Sequence, residues 1–132
     1  FPTRRSSDLT NPRYKGLLVV ENPATSSPGL SFFLASVAAF GEAGWQEWWK
    51  ALKENGVVVV SDWESAYYTN FSGSSGRGSQ PLVVSYASSP AAELIYAETP
   101  LEEPPTGSIV ADGTCWRQIE FAGILKGTPN HF

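Results

Sequence analysis

Methionine is absent from the 132 residues, cysteine and histidine occur once each, and no apolar run approaches the length of a membrane span. The lone Cys115 can neither close an internal disulfide nor build a thiolate metal site, so cysteine is silent on compartment. The single histidine, His131, stands close to the C-terminal end, and no serine, cysteine or carboxylate pair is set in an activating pattern, which argues against an enzyme. Positive charge is also scarce. Nine Lys and Arg against thirteen Asp and Glu give a net charge of −4 and a pI near 4.9. That field disfavours nucleic acid as a partner and mildly favours a cationic small ligand. The lack of an initiator methionine and of a signal peptide leads us to expect a piece of a longer chain, truncated at both ends. Residues 1–9, FPTRRSSDL, are polar, basic and without apolar periodicity. They read as a non-native, adapter-derived segment, which leaves residues 10–132 as a single incomplete domain.

Apolar residues make up 42% of the chain, with five Trp, five Tyr and seven Phe, enough for one packed core. Residues 17–20 are a short apolar run that predicts a strand buried on both faces. The stretch NPATSSPGL that follows sets Thr25, Ser26 and Ser27 directly before Pro28 and Gly29. Ser27 suits an N-cap and Pro28 the first helical position, where no N–H is missed. The N–H groups from Gly29 onward, with the helix dipole behind them, then favour an anionic or oxygen-rich group, and the hydroxyls add donors. Plain helix capping needs only one of those hydroxyls and no ligand.

Leu30, Phe33, Leu34, Val37 and Ala38 carry the helical period onward until Gly41 and Gly44 break it. Trp45, Trp48, Trp49 and Leu52 resume the period as a core stripe, and Asn55-Gly56 stops it. The four valines at 57–60 predict a second strand, joined to the first by a helical crossover and therefore parallel to it. Asp62 can cap a short helix through Trp63, Ala66, Tyr67 and Asn70. Residues 71–80, FSGSSGRGSQ, lack the ending of a phosphate loop and read as a flexible surface loop. A third buried strand is expected at 82–85 and a short helix at 86–92. Further strands are expected at 94–97 and 115–121, separated by an exposed proline-rich acidic connection.

In such an α/β sheet, ligands bind outside the carboxyl ends of the strands. Three segments fall there: the hydroxyl turn, Ser61 to Trp63, and Ser85 to Ser89. Aromatic faces attract an organic cation, whereas hydroxyls and helix N–H groups hold a neutral or anionic tail, so the expected ligand is flat or cationic at one end and oxygen-rich at the other.

The order TSSPGL, a tryptophan helix, DWESAY, LVVSYASSPA and RQIEFAGILKGT resembles the C-terminal lobe of the periplasmic thiamine-binding proteins of ABC transporters. The resemblance implies one lobe of a type II periplasmic binding protein, with a mostly parallel sheet flanked by helices. It further implies a monomer when full length, with an N-terminal lobe absent here. The ligand would be thiamine or its phosphates, carried as cargo and not as a cofactor, and the partner a membrane ABC permease. By motif position, Ser26 and Ser27 match the phosphate or hydroxyethyl side and Trp63 and Tyr86 the aromatics flanking the rings. Thr25, Gly29 and Tyr67 complete the candidate ligand set, with no metal ligands. Ala92 stands where the family carries another binding tyrosine. A ferric-ion binder of the same fold, using the tandem Tyr67-Tyr68, and a non-binding structural or interaction domain are the alternatives.

Overall fold

The computed structural model describes residues 6–111 and 114–129. Residues 1–5 of the polar N-terminal segment and His131 lie outside them. The two apolar runs and the third expected strand form one three-stranded sheet, order β2-β1-β3, from β1 (Leu18–Glu21), β2 (Val58–Val60) and β3 (Leu82–Val83). All pairing is parallel, with Val20 opposite Val59 and Leu18 opposite Leu82. A parallel sheet needs helical crossovers and cover on its faces, which is why central β1 is buried along its whole length.

The crossover is α1 (Ser27–Glu54), and it starts one residue earlier than the sequence predicts. Ser26 is the N-cap, in extended backbone (φ −137°, ψ 130°), and Ser27 is already helical, so Pro28 falls at the second helical position. Gly41 alone interrupts the helix, at φ 68° and ψ 175°, in the left-handed half of backbone space that glycine enters without steric cost. Gly44 stays helical. The kink lets the two halves of α1 meet through aromatic rings. Phe40 stacks on Trp48 with centroids 4.9 Å apart, Phe33 meets Trp45 edge-on at 5.1 Å, and Trp49 Nε1 donates to Ser36 Oγ at 2.8 Å. The tryptophan stripe is core, as its spacing predicts. Trp48 and Leu52 pack with Tyr14, Leu18, Val20 and Leu82.

The segment Ser6–Thr10 forms a 3-10 turn whose Leu9 packs against this core, and Asn55 Nδ2 ties it down by donating to Leu9 O (2.8 Å) and Asn11 O (2.9 Å). The capped segment after β2 becomes a wide π-type helix, Ser65–Asn70, closed by Phe71 N–H donating to Ala66 O at 2.9 Å. The segment 71–80, expected as a flexible loop, holds one helical turn, Ser72–Ser75, and is pinned at its base: Phe71 is buried and bridges Gln80, and Ser72 N–H donates to Gln80 O at 2.9 Å.

Two expected strands are corrected. Residues 94–95 belong to the helix Ser89–Ile95, because Pro90 starts it in the first turn and Ala91, Ala92, Glu93 and Leu94 all propagate a helix readily. Residues 115–121 form no regular element and pair with no strand among the described residues, leaving Ile119 and Phe121 67% and 93% exposed. No described helix is long and apolar enough to cross a membrane.

Candidate functional site

The carboxyl ends of the three strands lie side by side, and hydrogen bonds join the segments that leave them. Asn22 N–H donates to Val60 O (2.8 Å), and the Asn22 side chain turns the chain by accepting from Ala24 N–H (2.9 Å). Thr25 Oγ1 donates to Ser61 O at 2.5 Å, linking the first segment to the second. Trp63 Nε1 donates to Ser85 Oγ at 2.9 Å, linking the second to the third, and Ser85 Oγ shares a proton with Ser89 Oγ at 2.8 Å. Asp62 fixes the turn between them. Its carboxylate accepts from Ser61 Oγ (2.5 Å) and from Ser65 N–H (2.7 Å). These two bonds, Ser61's first, hold the Asp62 carboxyl below its ordinary pKa.

On this rim Trp63, Tyr67 and Tyr86 come together. One face of Trp63 stacks on Tyr67 at 4.8 Å and 21°, and its ring meets Tyr86 at 6.0 Å and 63°. Tyr67 is buried, and its Oη donates to Glu93 Oε1 at 2.6 Å, while the other Glu93 oxygen accepts from Thr106 Oγ1. Burial first, and then the Glu93 carboxylate, push the Tyr67 phenol well above its ordinary pKa. The Tyr67 hydroxyl is thus engaged by Glu93, and its ring stands at 84° to that of Tyr68.

Two clefts open beside these rings. One, of about 530 Å³, runs along β3 past Pro28, Ser31, Tyr67, Ser85, Tyr86 and Ser89. The other, of about 360 Å³, is bounded by Trp63, Tyr67, Tyr68, Ala92, Glu93 and Tyr96. Thr25 joins the rim through Ser61 but its hydroxyl is spent on that bond. Ser26, Ser27 and Gly29 line neither cleft. Ser26 makes no side-chain cap bond, and its hydroxyl oxygen is buried without a partner. Ser27 is exposed. Gly29 is buried where α1 crosses the end of β1, so close that a Cβ there would stand 2.5 Å from Glu21 O.

Glu21 is the feature that the sequence reading missed. It is 1% exposed, and neither carboxylate oxygen has a hydrogen-bond partner. Loss of hydration, reinforced by repulsion from Asp62 and partly offset by its own backbone N–H, raises its pKa from 4.5 to about 7. The available signal was position alone: Glu21 ends the central strand, where any side chain faces packed layers. Glu93 and Tyr96 were also missed, since their segment was read as partly strand.

The family model described as bacterial extracellular solute-binding protein matches residues 2–94. Among curated proteins, the chain is 32% identical over 94 residues to the thiamine-binding periplasmic protein of Salmonella typhimurium, covering 71% of this chain and 27% of that one. It is 30% identical over 82 residues to the protein of the same name from Brucella suis biovar 1, covering 62% of this chain and 23% of the relative. A solved periplasmic thiamin binding protein superposes with a TM-score of 0.61 at 25% identity, over 75% of this chain and 29% of that chain. The chain thus spans about a quarter of the length of the curated relatives it matches.

Proposed function

This chain belongs to the bacterial extracellular solute-binding protein family, and we propose that it contributes one lobe to the substrate-binding component of an ABC importer for thiamine or a thiamine phosphate. In this reading the protein works in the periplasm or tethered outside the membrane, carries its ligand unchanged, and hands it to a membrane permease. The observation that carries the reading is the joined rim, in which Thr25–Ser61 and Trp63–Ser85 bonds bring an aromatic cluster and the N-terminus of a long helix to one edge of a parallel sheet. An aromatic cluster suits the flat, cationic rings of thiamine, and a helix N-terminus suits its oxygen-bearing tail. Names borne by relatives, thiamine-binding in each case, agree with that chemistry.

Ser26 is the residue proposed to face the tail: it lines neither cleft, but it caps the long helix and its hydroxyl is left without a partner, so a tail docking at that helix end would satisfy it once the turn opens to admit it. Hydrogen bonds to charged groups are worth roughly 1.5 to 3 kcal/mol against about 1 for neutral ones. Ser26→Ala is therefore expected to weaken thiamine monophosphate about tenfold and thiamine by distinctly less. Ligand-observed NMR titration of both compounds reads the difference. Equal losses would place Ser26 by the rings, and no loss for either would remove it from the site.

A further inference from the structure

The 360 Å³ cleft beside Trp63 adds residues to the aromatic cluster on which the thiamine reading rests. Tyr67 covers one face of Trp63, and Tyr68 stands edge-on to the indole at 5.4 Å and 79°. Tyr96 lines the same cleft; it is the first residue past the helix Ser89–Ile95, with its N–H on Ala92 O at 2.9 Å. It therefore sits one turn beyond Ala92, whose methyl group leaves that part of the wall low. Tyr96 is 83% exposed, an unusual position for a large ring that gains nothing from water. Glu93 also lines the cleft, and each of its oxygens takes one hydrogen bond, from Tyr67 and from Thr106. A carboxylate can accept about four, so it retains acceptor capacity and charge on the cleft side.

Rings standing round a carboxylate recognise one chemistry best, a flat organic cation. The ring faces attract positive charge through their quadrupoles, and the carboxylate supplies the counter-charge. An inorganic cation gains little from the rings, and an anion is repelled. We propose that this cleft receives the cationic ring of the ligand, with Glu93 as counter-charge and Tyr96 as the wall that selects a cationic ring over an uncharged one. The inference rests on the thiamine reading for the identity of that ring, a thiazolium.

The test uses the longer two-lobe protein to which this chain is proposed to contribute a lobe, in ligand-observed NMR titration with two probes, thiamine and its uncharged oxidised form, thiochrome. Tyr96→Ala is expected to weaken thiamine by about tenfold and thiochrome by no more than about twofold, while Tyr96→Phe keeps the wild-type preference. Glu93→Gln is expected to reduce the preference for thiamine over thiochrome. Tyr96 is exposed, so its variants should melt as the wild type does, which separates loss of a wall from loss of fold. Thiamine binding equally well to wild type and Tyr96→Ala would overturn this proposal and leave the thiamine reading standing. Equal losses for both probes would overturn the cation selectivity, and a wild-type protein that binds no thiamine would overturn the reading and the inference together.

Discussion

Glu21→Gln is expected to stabilise the protein at about pH 8 and to remove most of a fall in stability that the wild type shows between about pH 4.5 and pH 8. The Glu21 carboxyl is buried without a partner and titrates near 7 in the folded chain against 4.5 when unfolded. Between those values the native state holds a proton that the unfolded state has released, so stability decreases as pH rises. Below about 4.5 both states are protonated and the dependence vanishes; above about 7 both are ionised and it levels off. Each pH unit of displacement corresponds to about 1.4 kcal/mol, so the fall across the window reaches at most about 3.5 kcal/mol. Glutamine keeps the size and the buried polarity but never ionises. Its melting temperature should match the wild type near pH 5 and exceed it near pH 8. Parallel curves for the two proteins across that range would mean that Glu21 is solvated or paired in solution.

Gly29→Ala is expected to cost stability by about 1 to 3 kcal/mol or more, and to weaken ligand binding with it. The added Cβ would lie 2.5 Å from the carbonyl oxygen and 2.8 Å from the carbonyl carbon of Glu21. Backbone atoms of a buried central strand cannot swing aside, so the first turn of α1 must lift off β1. Gly44→Ala in the same helix is the control. Its Cβ would meet only Phe40 Cβ, at 3.4 Å, and alanine is preferred over glycine in a helix by about 1 kcal/mol, so that variant should be neutral or mildly stabilised. Thermal melts of the two variants should therefore move in opposite directions or differ by several degrees. Equal melting temperatures would show that α1 has room to shift, and that Gly29 is present for a reason other than close packing.

The elements that the sequence made legible are those whose signal is local. Leu17 to Val20 and the four valines at 57–60 are β-branched or apolar runs bounded by turns, and they become β1 and β2 to within a residue. The helix start after TSSPG was off by one because Ser26 and Ser27 have the same capping chemistry. Which one caps is decided by how the chain leaves β1, a tertiary matter. Residues 94–97 and 115–121 show how little a short apolar run says by itself: one was drawn into a helix by its proline start, and the other found no strand to pair with. At the site, Trp63 and Tyr86 were legible as aromatics following strand ends, and the structure brings their rings to 6.0 Å. The Thr25–Ser61 bond was not, since it depends on the register of β1 against β2. Glu21 was hidden for a different reason. An acidic residue after an apolar run normally marks the return to solvent, and only the close approach of α1 at Gly29 keeps it buried.

Everything proposed for this chain turns on whether its strand-end rim takes thiamine through Trp63. Saturation-transfer NMR on the longer two-lobe protein to which this chain is proposed to contribute a lobe, with thiamine as the observed ligand and Trp63→Ala as the paired variant, measures that contact directly. Saturation is expected on the protons of both thiamine rings with wild type, sharply reduced by Trp63→Ala while the variant stays folded. No transfer to thiamine from the wild type, or transfer unchanged by Trp63→Ala, would contradict it.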